Sequence, residues 1–150
     1  MEISRPRRTI CAESARAAVD AAVAHGHGTR KVPVVAAVVD ASGDLIALLR
    51  GDGAFKASTT IAHDKAHTAA VFGTSTDALN ADLKAGSPLH QGIALRPGVV
   101  LFGGGFPIVE KGEVIGGIGV SGGSEDDDRA CAQAGLAALG LASSNLSAPG

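Results

Sequence analysis

The chain has no tryptophan and no tyrosine, and its four aromatic residues are all phenylalanine. With a formal charge of −2 over 150 residues, it therefore has neither the basic face nor the stacking platforms of a nucleic-acid binder. Cysteine is nearly absent too. Cys11 and Cys131 stand far apart with no CxxC or zinc-type spacing, which predicts two buried, reduced thiols, one remote disulfide being the alternative. No apolar run approaches the roughly 20 residues needed to cross a bilayer. The opening Met1-Glu2-Ile3-Ser4-Arg5-Pro6-Arg7-Arg8 is basic without the apolar block of a signal peptide. These absences point to a soluble, cytoplasmic protein that binds neither nucleic acid nor membrane.

What is present is glycine, 21 residues of it, in a chain that is 45% hydrophobic. That content suits one domain spanning 1–150, with a core over about 9–141 and a loose tail over 142–150. Glycine concentrates in the C-terminal third, in Phe102-Gly103-Gly104-Gly105-Phe106 and Gly116-Gly117-Ile118-Gly119-Val120-Ser121-Gly122-Gly123. Lacking a Cβ, such stretches permit close backbone approach and exposed amide donors, so this is where a site is expected.

The periodicities predict a helix over 9–25, a hairpin of strands 33–39 and 44–50 turning at Asp40-Ala41-Ser42-Gly43, and a long helix over 54–72. A shorter helix follows over 76–84 with Thr76 as its cap, then a loop at Ala85-Gly86-Ser87-Pro88 suited to a flap. Apolar runs at Val99–Phe102, 106–110 and 113–120 read as three more strands, the last two joined at Lys111-Gly112. Ser124 with Asp127 opens a final helix that runs to Leu141. The order αββααβββα lacks the regular alternation of a parallel α/β fold, so the expected class is α+β with a five-stranded antiparallel sheet and flanking helices.

His63 and His67 stand i, i+4 on the long helix and share one face. Such a pair can ligate a metal or a haem iron, or supply an acid or base near neutral pH; it equally suits solvent-facing or capping positions. Arg50, at a strand end, can hold a carboxylate in bidentate fashion, or pair with Asp52 or Asp128. Lys65 lies among Ala62, Ala66 and Ala69, residues too small to cover it, and suits either an anion or an anchor to backbone carbonyls. The amides of Gly104, Gly105, Ser121, Gly122 and Gly123 can meet a single carboxylate or an enolate, whereas the acids at 125–128 repel a polyanion. Glu125 is a further proton-transfer candidate. His25 and His27, at a helix end, and His90, on a loop, carry less chemical weight. Ser121 is not in a GxSxG elbow and Cys131 sits in an alanine-rich helix, so no covalent intermediate is expected.

Val38-Val39-Asp40, Gly43, Arg50, Asp52-Gly53-Ala54, Ser58, Ile61-Ala62, Lys65-Ala66, Thr68-Ala69, Gly104-Gly105, Pro107-Ile108, Gly116 and Gly119-Val120-Ser121-Gly122-Gly123, with Asp128 and Ala132, together resemble the GlcG/HbpS family. That family includes the C-terminal domain of PduO-type proteins. The resemblance covers roughly residues 12–140 in matching order. It implies a profilin-like sheet, homo-oligomeric assembly and, for some members, haem binding. Two functions follow as expectations. One is a homo-oligomer that binds haem or a related tetrapyrrole with His67 or His63 as axial ligand. The other is a cofactor-independent isomerase, lyase or hydrolase acting on a small carboxylate or carbonyl compound, in which Arg50 binds the carboxylate, the glycine amides hold the oxyanion, and His67 or Glu125 moves the proton. Both expectations require the hairpin end, the long helix and the glycine segments to surround one cavity.

Overall fold

A computed structural model of the chain describes residues 1–141; the tail expected over 142–150 lies outside the described residues. Val35–Asp40 (β1) and Leu45–Arg50 (β2) form the first hairpin. Its turn is built by Asp40, whose Oδ1 accepts from the amides of Ser42 and Asp44 at 2.9 and 3.0 Å, while Gly43 takes φ +86°. Gly105–Glu110 (β3) and Glu113–Ser121 (β4) form the second hairpin. There Lys111 and Gly112 take φ +51° and +77°, the paired left-handed residues that match strand twist in a two-residue turn.

The sheet has four strands in the order β2-β1-β4-β3, all antiparallel. This corrects the expected five. Val99–Phe102 is apolar and of strand length, but its amides and that of Gly103 find partners other than a strand, the Val99 amide donating to the Arg96 carbonyl. The Val100 amide donates to Thr68 Oγ1 at 3.0 Å and the Gly103 amide to Glu125 Oε1 at 2.7 Å. Pro97 and Gly98, the latter at φ +78°, turn the chain just before this segment. It crosses the long helix as a loop and pairs with no strand.

Three helices cover the sheet. Ala12–His25 (α1) and Glu125–Ala138 (α5) share one face with Val34, Ala36, Val38, Ile118 and Val120. α1 ends in a π-helical turn over Gly26–Arg30. Ser58–Phe72 (α2) lies on the other face, where Ala62, Ala66 and Ala70 pack on Val35, Ala37 and Val39. It starts later than the expected 54 because residues 51–57 form turns.

Glycines set how closely α2 sits. A Cβ at Gly117 would stand 2.3 Å from the carbonyl oxygen of Ala66, and one at Gly119 would stand 2.2 Å from that of Ala62. The alanine face of α2 thus rests on bare strand backbone.

The shorter elements adjust other expectations. Thr76–Leu83 (α3) is capped by Ser75, whose hydroxyl accepts from the Ala78 amide at 3.1 Å, and the Thr76 hydroxyl instead accepts from the Gly105 amide. The proposed flap is the start of a helix: Ser87 caps Pro88–Ala94 (α4). Ser124 and Asp127 form the expected reciprocal capping box of α5. Cys11 and Cys131 are free, but Cys11 is exposed at the start of α1, so only one thiol is buried. Burial pushes that thiol, Cys131, up to about 11.

Candidate ligand-binding groove

The residues singled out in the sequence fall into three neighbourhoods. The first is a groove of about 360 Å³ between the flank of α2, the first hairpin turn and the loop before Val99. His63, Asp64 and His67 form one wall, Gly43, Asp44 and Leu45 the second, and Pro97 with Gly98 the third. On α2 the alanines facing the sheet leave positions 63 and 67 about a third of a turn around the helix, which turns both imidazoles to the hairpin side.

His67 Nδ1 lies 3.0 Å from the carbonyl oxygen of Gly43. A carbonyl can only accept, so Nδ1 carries a proton and donates, and the tautomer this contact selects has its lone pair on Nε2. Gly43 makes this contact feasible, since a Cβ there would stand 2.6 Å from Nδ1. An imidazole fixed through one nitrogen by a backbone carbonyl, with the other nitrogen free, is the usual arrangement of a metal-ligating histidine. Among the described residues no group of three or more His, Cys, Asp or Glu side chains could hold a bare metal ion. His67 thus offers a single oriented imidazole to the groove.

The second neighbourhood is a buried ion pair. Lys65 Nζ donates to Asp128 Oδ2 and to the carbonyl of Val120, both at 2.9 Å, with the two side chains only 1% and 5% exposed. The second Asp128 oxygen accepts from the Gly123 amide at 3.0 Å. The ammonium also lies 5.0 Å from the centre of the Phe102 ring, a cation–π distance. Lys65 reaches from one face of the sheet to α5 on the other, and Gly104, at φ +122°, leaves the room: a Cβ there would sit 2.9 Å from Nζ. Burial pulls the Lys65 amine below its ordinary value and pushes the Asp128 carboxyl above its own, while their mutual attraction opposes both shifts. The expectation that small neighbours leave Lys65 uncovered is corrected, because those alanines bring the sheet close enough to enclose it.

The third neighbourhood is the far end of the sheet. Arg50 and Ser121 are both cross-strand partners of Val35. Ser121 is buried with its hydroxyl 3.2 Å from that of Ser58, and Arg50 is exposed. Arg50 stands five residues from Leu45 along β2, about 17 Å. The structure therefore keeps Arg50 and the Ser121 segment apart from the histidines, and the common cavity does not form within the chain. Of the amides meant for an oxyanion, those of Gly105 and Gly123 already donate to Thr76 and Asp128.

Glu125 lies beside Arg129, which binds Asp77 through two nitrogens at 2.8 Å and so ties α3 to α5. His90 Nε2 lies 2.7 Å from Asn80 Oδ1, a contact between α4 and α3. His25 closes α1, and His27 lies in the π-helical turn. A larger hollow of about 540 Å³ opens among Arg8, Ile10, Cys11, Glu110, Ile115 and Leu139, and it contains none of the histidines.

Sequence reasoning missed the groove's opposite walls. Gly43 was read as a turn glycine and Pro97-Gly98 drew no reading, and only the tertiary fold sets them against α2. Asp64, beside His63 on the helix, lines the same groove.

Comparison with known proteins gives one direction. Residues 10–137 match the family model described as haem degrading protein HbpS-like. The crystal structure of the Klebsiella pneumoniae protein ORFY aligns with a TM-score of 0.86 at 32% identity, covering 93% of this chain and 97% of that one. The crystal structure of a PduOC–haem complex aligns at 0.79 and 34%, covering 87% and 94%. A 15.0 kDa Citrobacter freundii protein from the dhaT–dhaS intergenic region is 39% identical over 107 residues, 70% of this chain and 75% of that protein.

Proposed function

Because the chain belongs to the HbpS-like family, we propose that it binds haem or a closely related metallo-tetrapyrrole, with His67 Nε2 as an axial ligand. The observation that carries this reading is the bond from His67 Nδ1 to the Gly43 carbonyl, which leaves one oriented lone pair at the groove. The walls fit the group in part. Leu45 and Pro97 supply apolar contact, but about 360 Å³ is near the low end for small-molecule sites, so the groove takes one side of a macrocycle and leaves the rest uncovered. His63 lies on the same helix wall as His67, so this wall would hold the group through one imidazole. When bound, haem supplies redox and ligand-exchange chemistry at iron; the chain's own part is to orient one imidazole and screen one face from water.

The reading includes self-association. Leu45 at the groove, with Ile46 and Leu49 further along the edge strand β2, are 46%, 39% and 37% exposed. An apolar edge of this kind favours pairing with a second copy, which would also cover the exposed part of the macrocycle. A haem-linked PduOC relative with this fold supports the choice of ligand.

Titration of the purified protein with hemin tests the proposal. The expected result is a saturating Soret band typical of imidazole ligation, lost or shifted in His67→Ala and kept in His63→Ala. A wild-type protein that gives no such band refutes the haem reading. A His67→Ala variant with unchanged spectrum and affinity refutes the ligand assignment.

A further inference from the structure

Two carboxylates share the groove with the histidines. Asp44 lies on the hairpin wall and Asp64 on the helix wall, and among the described residues neither forms an ion pair with Lys or Arg. Asp64 is next to the ligand position: a Cβ built on Gly98 would lie 3.6 Å from His67 Cδ2 and 3.9 Å from Asp64 Oδ1, so both flank one point. No Lys or Arg lines the groove, and Arg96 precedes Pro97 without entering the lining. A macrocycle held by His67 must lay part of its rim over these acids.

We infer that Asp44 and Asp64 act as a charge filter, admitting an iron macrocycle only through an edge free of carboxylates. This rests on the haem reading above and adds the class of guest. Protohaem carries both propionates on one side and can enter by its opposite edge. Iron coproporphyrin I, in which methyl and propionate alternate around the four pyrroles, has a propionate at every edge and so no such entry. Two carboxylates within several ångströms of a propionate oppose it by on the order of tenfold in affinity at low ionic strength, and salt weakens that opposition.

The test is a Soret titration of the protein with hemin and with iron coproporphyrin I, at low ionic strength and at about 0.5 M salt, where screening reaches within a few ångströms. The filter requires iron coproporphyrin I to bind about tenfold more weakly than hemin at low salt. That ratio should fall toward one in high salt and in the isosteric Asp44→Asn, Asp64→Asn double variant. Equal binding by the wild type, or a ratio that neither salt nor the variant changes, overturns the filter while leaving the haem reading intact. The salt series needs no variant, so a folding defect in the double variant cannot mask the answer. If neither macrocycle gives a His67-dependent spectrum, the haem reading fails and the filter with it.

Discussion

Gly119→Ala is the sharpest test of how the helix bearing both histidines is held. The added methyl would stand 2.2 Å from the Ala62 carbonyl oxygen, 2.5 Å from the Ala66 nitrogen and 2.8 Å from Lys65 Cβ. Ordinary contact begins near 3.4 Å, so α2 must retreat by about 1 Å or the strand must bend. Two of the three atoms are helix backbone and cannot rotate aside. Overpacking of a well-filled core costs about 1–3 kcal/mol, and a clash with rigid backbone on both sides belongs at or above the upper end. A loss of about 3 kcal/mol is a large share of the 5–15 kcal/mol typical of a domain. With a urea slope of about 1–3 kcal/mol per molar, the midpoint should fall by at least about 1 M. Gly92→Ala is the control, because nothing lies within 4 Å of its Cβ position and its φ is not positive; it should leave the midpoint unchanged or raise it slightly. A Gly119→Ala protein within about 0.5 kcal/mol of wild type would refute the claim that bare strand backbone sets the helix-to-sheet distance.

Two further outcomes follow from the ion pairs. Lys65→Ala leaves the Asp128 carboxylate buried without its cation and should cost about 3–5 kcal/mol in chemical denaturation, whereas Lys65→Met with Asp128→Leu should recover much of that loss; a mild single variant would show that water reaches Asp128. The Arg129 guanidinium holds the Asp77 carboxyl below its usual 3.8. The folded state then binds that proton less readily than the unfolded state, so the contribution is present above about 3.8 and is lost as pH falls through the lower, folded value. Asp77 is 40% exposed, which limits the effect to about 1 kcal/mol or less. In denaturation series, wild type and Asp77→Asn should differ most near pH 6 and converge below about pH 3; a gap that widens on acidification would reverse the assigned sign.

Local chemistry explains which parts of the fold were legible. Asp40 through Gly43 and Lys111-Gly112 encode their turns in their own side chains and φ values, so both hairpins could be read directly, as could the Ser124–Asp127 box. The segment Val99–Phe102 could not, because an apolar run of strand length looks the same whether its amides meet a neighbouring strand or, as here, the Arg96 carbonyl and the Thr68 hydroxyl. The i, i+4 spacing revealed His63 and His67 as neighbours, but the carbonyl that orients His67 comes from Gly43, 24 residues earlier. Lys65 was misjudged through its alanine neighbours: their size was taken as poor cover, while its consequence in the fold is close packing. Asp128 was grouped with three solvent-side acids although it faces inward.

The glycine-dense strand marks the site indirectly. Its glycines offer little to a ligand, since α2 covers Gly117 and Gly119 and the nearby amides of Gly105 and Gly123 are engaged. They instead bring α2 down onto the sheet, and the Lys65–Asp128 pair fixes the helix against rolling by tying it to α5. With height and rotation both set, the flank carrying His67 meets the Gly43 turn at hydrogen-bond distance, and Gly43 itself must lack a Cβ for the ring to fit. A helix held higher or rolled by a fraction of a turn would free Nδ1, lose the defined tautomer and leave Nε2 without a fixed direction. The chemistry proposed for the groove thus depends on packing about 50 residues further along the chain, where the sequence is most conspicuous and the ligand is not.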